Sequence, residues 1–234
     1  MKKTWLLSLA IVIVVAFLCY LFWPLAFTVV PIAKVEQVQK SEAFNPVVYV
    51  DKIWQSRIIP TITEKAVDLS TILGEINPDA NGIAKKDDLT IVAKKYGLIT
   101  LGEAHVYMVK GTGQVVNVDT SSSTGLMEIQ LDGYTGPIKV LIYIGPRIPS
   151  DETSVRDAVG FINFGDFKEQ TEYGKAGAEI NKRVLTEVLT SFNNGQVQGK
   201  TISFYGALTI RTFNLIDINL KKVTIVPIKL EVKE

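Results

Sequence analysis

The sequence predicts an α+β protein: an N-terminal transmembrane helix, a helical segment, then a mainly antiparallel β-barrel with one long helix. Three observations carry this reading. About 25 almost wholly apolar residues run from Trp5 to Val30. Apolar side chains recur at helical spacing between about residues 41 and 97. From about Glu103 the period changes to two, and a single amphipathic helical stretch interrupts the strands.

The Trp5–Val30 run is long enough to cross the ~30 Å hydrocarbon core of a bilayer. No small-x-small cleavage site follows it, so it reads as a retained signal anchor. Trp5 and Trp23 stand roughly 27 Å apart along a helix, which places both rings at headgroup level. Lys2 and Lys3 hold the basic end in the cytoplasm, so everything after Pro31 is expected in the periplasm or on the outer cell surface. Pro24 kinks or ends the helix near its exit. Two alternatives stand beside the anchor, a cleaved signal peptide and a lipoprotein acylated at Cys19, but the sole cysteine follows Leu18 rather than a small residue and reads as an ordinary apolar side chain. One cysteine excludes an intrachain disulfide and any multi-cysteine metal site. Lys+Arg 25 against Asp+Glu 24 leaves no field that would draw nucleic acid.

Three regions follow: residues 1–30 as basic tip and anchor, 31–99 as the helical segment, and 100–234 as the barrel domain. Asn45 is a good N-cap, Pro46 suits the first helical position, and Phe44 and Tyr49 occupy the positions of a hydrophobic staple. Val47, Val50, Trp54 and Ile58 make one apolar stripe. Pro60 is expected to break this helix, with Thr61 and Glu64 as the capping box of the next. Ile62, Ala66, Leu69, Leu73 and Ile76 continue the buried face up to Asn77-Pro78. A third helix runs through Leu89 and Val92 and stops at Gly97.

Strands are predicted at His105–Lys110, Val115–Thr120, Met127–Leu131, Ile138–Ile144, Thr201–Ile210 and Val223–Val232. Gly111-Thr112-Gly113, Ser121–Gly125 and Asp132-Gly133 read as the turns between them. Pro227 lacks a ladder donor, which predicts an edge or the start of a strand. The long helix spans roughly Phe167–Ser191, with Tyr173, Ala176, Gly177, Ile180, Val184 and Val188 on its apolar face. Gly174 and Gly177 cost helix stability, which predicts close backbone approach to a curved sheet. Short antiparallel strands, one helix and returning strands suit an OB-fold-like barrel, with a β-sandwich plus appended helix as the alternative.

No catalytic constellation emerges. His105 is the only histidine, so Ser-His-Asp and multi-histidine metal sites are excluded, and on its strand it reads as structural. Gly111-x-Gly113 has no following helix and reads as a hairpin turn rather than a phosphate cradle. Asp87-Asp88 and Asp151-Glu152 read as solvated charges and caps. The expectation is therefore a protein that is not an enzyme, with no cofactor and no metal. The most unusual stretch is Gly145–Gln170, where Arg156-Asp157 precede Phe161, Phe164 and Phe167, with Asp166 and Gln170 alongside. A guanidinium, carboxylates and an amide beside aromatic rings can bind a polar ligand. The alternative is a buried Arg156-Asp157 pair tying barrel to helix, with the phenylalanines in the core.

The chain resembles a family of bacterial envelope proteins, domain of unknown function 2291, known as predicted periplasmic lipoproteins. The resemblance is carried by Val30-Pro31-Ile32, Tyr49-Val50, Ile53-Trp54, Pro60, Gly111-Thr112-Gly113-x-Val115 and Ile144-Gly145-Pro146. Arg156-Asp157-Ala158, Phe164-x-Asp166-Phe167-x-x-Gln170, Asn181 and Val226-Pro227 continue it. It implies an OB-fold-like domain and genes beside ribose-type sugar ABC transporters, and no known activity. Family members place a lipid-accepting cysteine where Phe27 and Thr28 stand here, so the apolar anchor is expected to replace the lipid. Glu169 also stands where the motif has Asn.

The expected ligand-binding set is Arg156, Asp157, Phe164, Asp166, Phe167, Gln170 and Asn181. The expected function is a non-enzymatic accessory or binding module of a sugar ABC transport system. The alternatives are a small-ligand-binding envelope sensor and, after it, an envelope hydrolase. Expected partners are the membrane through residues 5–30 and an ABC transporter or solute-binding protein, with no nucleic acid.

Overall fold

The computed structural model describes residues 12–22, 43–192 and 196–233. They belong to two units, Met1–Phe44 and Asn45–Glu234. In the first, residues 12–22 are helical with exposed side chains. The transmembrane expectation is corrected here: among the described residues no helix is long and apolar enough to cross a membrane. Lys2, Lys3, Trp5, Trp23, Pro24 and the Val30-Pro31 exit lie outside the described residues.

The second unit opens with α1 (Pro46–Ile53), whose Asn45 Oδ1 accepts the Val47 and Val48 amides at 3.1 and 3.2 Å. Val50, Trp54 and Ile58 are buried as the stripe requires, but Val47 is 40% exposed. Pro60 does not break the chain. A π-turn over Trp54–Ile58 carries α1 into α2 (Ile59–Lys65), with Pro60 in its first turn. The wider turn passes the Ile59 amide to the Trp54 carbonyl, five residues back, which accommodates a ring that would clash in a straight α-helix. Thr61 is therefore interior to α2 rather than its cap. The buried face continues, but over separate elements: β1 (Val67–Asp68) and α3 (Leu69–Glu75) replace one long helix. After β2 (Ile83–Lys85), α4 (Lys86–Tyr96) ends at Gly97 as expected.

The remaining strands are β3 (Leu98–Ile99), β4 (His105–Asp119), β5 (Leu126–Leu131), β6 (Lys139–Tyr143), β7 (Thr201–Ile210), β8 (Asp217–Asn219) and β9 (Lys222–Val232). The expected mainly antiparallel barrel is corrected to a mixed seven-stranded sheet, because β1 and β3, from the stretch predicted as helical, add to β4. Its five long strands pair in the cyclic order β4-β5-β6-β9-β7-β4, antiparallel except for parallel β6–β9. β2 and β8 form a separate two-stranded ladder.

Alternate residues of these strands supply two cores, as the two-residue period requires. Tyr107, Met127, Ile142, Phe204, Leu208 and Ile225 pack inside, with Leu73, Leu89 and Val92 from the helices. Val106, Ala207 and Val226 face the other way, against Val50, Trp54, Ile58 and Ile180. Gly111 and Gly113 are not a turn. They sit within the uninterrupted β4, where a Cβ on Gly113 would stand 2.4 Å from the Gln130 carbonyl oxygen. Pro227 lies inside β9, past the last β6 partner Ile225 and opposite a register shift at Tyr205/Gly206, so its missing amide costs no ladder bond to β6.

Between β6 and β7 lie α5 (Ser154–Ala158), a 3-10 turn (Phe164–Asp166) and α6 (Gln170–Arg183). A second π-turn, Val184–Leu189, extends α6. Trp54 Nε1 donates to Glu187 at 2.7 Å, and Arg183 pairs with Asp51, joining this region to α1.

Candidate functional site

α5 is a single short helix fixed by side-chain contacts around its first turn. Thr153 Oγ1 donates to Asp157 Oδ2 at 2.6 Å, and Glu152 accepts the Ser154 amide at 3.0 Å. Ser154, fully buried, meets Thr209 of β7 at 2.7 Å between hydroxyl oxygens. These contacts dock α5 on the sheet and aim Arg156 toward α6.

Arg156 is 8% exposed. Its Nε donates to Asp157 Oδ1 at 2.8 Å and its Nη1 to the Tyr173 carbonyl at 3.2 Å. The guanidinium also lies 3.6 Å from the centroid of the Tyr173 ring, so charge and plane are both held. Tyr173 in turn donates its hydroxyl to Asp157 Oδ1 at 2.9 Å. Burial first, and then the Asp157 carboxylate, push the Tyr173 phenol up to about 12, while Arg156 pulls it down. Tyr173 is thus a neutral donor at any physiological pH. Gly177 leaves room for the assembly: a Cβ there would stand 3.2 Å from Arg156 Nη1. The close approach expected of this glycine is to Arg156, not to the sheet, and Gly174 has nothing within 4 Å.

Arg156, Asp157 and Tyr173 form one wall of a cleft of about 590 Å³. Leu98, Ile99, the Thr100–Gly102 loop, Ile162, Asn163 and Phe164 also line it. Phe164 is half exposed and meets Tyr173 edge to face at 5.6 Å. A mostly apolar cleft with a few convergent polar groups is the usual form of a small-ligand site.

Three of the sequence-predicted residues, Arg156, Asp157 and Phe164, meet at this cleft. The other four do not line it. Asp166 caps its own 3-10 turn, accepting the Asn163 amide at 3.0 Å. Phe167 packs edge to face between Tyr49 and Tyr173, both at 5.4 Å. Gln170 opens α6 with its side chain exposed. Asn181 is buried and donates to the Glu152 carbonyl at 2.6 Å, fastening α6 to the segment before α5. Tyr173 was hidden among the apolar positions of its helix. The Thr153-x-x-x-Asp157 spacing was readable as a local bond across one helical turn. The part played by Leu98–Gly102 had no local signal at all.

His105 is buried on β4 with Nε2 3.4 Å from Thr90 Oγ1, away from this cleft's lining. Among the described residues no group of three or more His, Cys, Asp or Glu could hold a metal ion. Asp151 pairs with Arg211 at 2.9 Å, and Glu152 accepts the Ser154 amide at the start of α5.

A profile of the family described as "Predicted periplasmic lipoprotein (DUF2291)" matches residues 11–231. The chain belongs to this family. The DUF2291 description makes it an extracytoplasmic protein and corrects the expectation of a single-pass transmembrane protein, since a lipoprotein is held by its lipid. An OB-fold protein from Thermotoga maritima, known from its crystal structure, is similar at 16% identity and a TM-score of 0.60. The match covers 82% of this DUF2291 chain and 100% of that one, and it speaks to the fold alone. No protein of curated function matches.

Proposed function

We propose that the chain is a non-enzymatic binding module serving a sugar (ribose-type) ABC transport system from outside the cytoplasm, with the Arg156 cleft as its contact site. One observation carries the contact site. A guanidinium has five N–H donors, and the bonds to Asp157 and to the Tyr173 carbonyl use two of them, while the side chain reaches the wall of an open cleft. A buried cation with donors to spare, already fixed in plane, is prepared for an oxygen-bearing partner at little ordering cost. The link to sugar transport rests on the family resemblance.

Cross-linking on intact cells followed by purification tests this reading. It expects a transporter subunit or solute-binding protein of a sugar system to be recovered. Repeated recovery without any such component would overturn it.

The cleft's volume and its apolar walls favour a second reading, an envelope sensor for a small ligand. Ligand that binds only the folded chain must raise its melting temperature. A shift of several degrees with ribose, lost in Phe164→Ser, supports the sensor. Unchanged melting at high ribose, galactose and glucose concentrations excludes it for those sugars.

A further inference from the structure

The Arg156 cleft adjoins another along Leu98 and Gly160. A second cleft, of about 710 Å³, is lined by Arg57, Pro60, Thr61, Glu64, Lys65 and Phe161, and it shares Leu98 and Gly160 with the first. Gly160 makes the junction: its φ is +72°, and a Cβ there would stand 3.0 Å from the Leu98 side chain. Any other residue would crowd the place where the two clefts meet.

β3 runs along this groove with one edge open. Among the described residues it pairs only with β4, Leu98 opposite Val106 and Ile99 opposite His105. The Thr100 amide donates to the Ala104 carbonyl, continuing the same antiparallel register. In such a ladder alternate residues turn their N–H and C=O to opposite edges. Leu98 and Thr100 therefore face β4, and the N–H and C=O of Ile99 face the groove. The apolar side chains here are not covered either: Leu98 and Ile99 are 42% and 41% exposed, and Leu101 is fully exposed. An open edge flanked by exposed apolar side chains is a template for another strand.

Each of the two clefts that meet at Leu98 carries an arginine. In one, Arg156 keeps donors beyond those bound to Asp157 and Tyr173. In the other, Arg57 lies 3.9 Å from the centroid of Phe161 and has no carboxylate partner among the described residues. Both guanidinium planes are held by an aromatic ring, and the clefts that the two arginines line share Leu98 and Gly160. Two residues of β3 offer too little ladder to hold a strand alone, so such clamps would supply the remaining binding.

We infer that this groove is a strand-addition site for an extended segment of a partner protein, in which an apolar residue sits over Leu98 between two carboxylates that engage Arg57 and Arg156. The inference rests on the proposed reading as a binding module and states what the partner presents.

The full chain, immobilised, is used to select from a phage-displayed library of random dodecapeptides, and the enriched peptides are measured by fluorescence anisotropy. The expected consensus is Val, Ile or Leu flanked by Asp or Glu. Ile99→Pro removes the groove-facing amide without touching a bond to β4 and should weaken binding at least tenfold. Arg57→Glu, at an exposed position, should exchange one acidic flank of the consensus for Lys or Arg, an outcome that loss of fold cannot mimic. Absence of a consensus, or binding unchanged within twofold in both variants, overturns the inference. So does a wild-type dimer that Ile99→Pro dissociates, which would assign the edge to a second copy of the chain. A transport component that still cross-links to Ile99→Pro would leave the binding-module reading standing and remove only the groove.

Discussion

Arg156 and Tyr173 are joined twice, by a guanidinium 3.6 Å from the ring centroid and by a 3.2 Å hydrogen bond from Nη1 to the Tyr173 carbonyl. The first contact depends on the tyrosine side chain and the second only on its backbone. The two side chains therefore make unequal contributions. Arg156→Ala leaves Asp157 partly buried without its cation and should cost about 3–5 kcal/mol in urea unfolding. Tyr173→Phe keeps ring and carbonyl, loses one hydrogen bond to a charged group, and should cost about 1.5–3 kcal/mol. Arg156→Ala costing less than Tyr173→Phe would show that the cluster is not centred on the guanidinium.

Two glycines of α6 should respond in opposite ways. Gly174 has open space where a Cβ would go, so Gly174→Ala gains helix propensity and should stabilise by about 0.5–1 kcal/mol. Gly177→Ala places its methyl 3.2 Å from Arg156 Nη1 and should lose that gain or reverse it. Equal midpoints for the two variants in denaturant would contradict the packing of Arg156 on α6.

Gly113→Ala is expected to be severe. Its Cβ would stand 2.4 Å from the Gln130 carbonyl oxygen, and that atom is backbone within the β4–β5 ladder. Strand β4 must shift, at a cost of roughly 1–3 kcal/mol for overpacking and more if the ladder opens. A thermal midpoint unchanged from wild type would mean that the two strands do not cross so closely.

Burial, and then the charge of Lys86, depress the His105 imidazole below its ordinary value, while Glu103 opposes them. The folded chain thus resists a proton that the unfolded chain accepts near pH 6.5. Stability from this residue is complete above about pH 6.5 and is lost as the pH falls through that value toward the lower folded-state pKa. As His105 is the sole histidine, the effect has one source. Melting temperature should fall between pH 7.5 and 5.5 in wild type and fall less in His105→Gln. Parallel curves for the two proteins would exclude a proton-linked role for this site.

Much of the fold was legible because it follows from local rules. The Asn45 cap and the span of β7 came from capping chemistry and from the two-residue period, whereas α4 ends at Gly97 in extended backbone, where a Cβ would stand 2.5 Å from the Val106 carbonyl oxygen. Two failures within the second unit share one cause. Pro60 and Gly111-Thr112-Gly113 carry strong local preferences for a break and a turn, yet a π-turn absorbs the first and close strand crossing uses the second. In both places packing across the chain outweighed a preference worth only a few kcal/mol.

By itself the sequence determined the alternation of apolar residues that makes β5, β6, β7 and β9, the buried face of α1 and α6, and the presence of Arg156 beside Asp157. It also determined the family to which the chain belongs. The tertiary structure alone decided that Arg156 turns to Tyr173 rather than to Gln170, and that Leu98–Gly102 closes the cleft from more than fifty residues away. Periodicity specifies which face of an element is buried, whereas the neighbour that covers it depends on how strands distant in sequence pair, which no local spacing records.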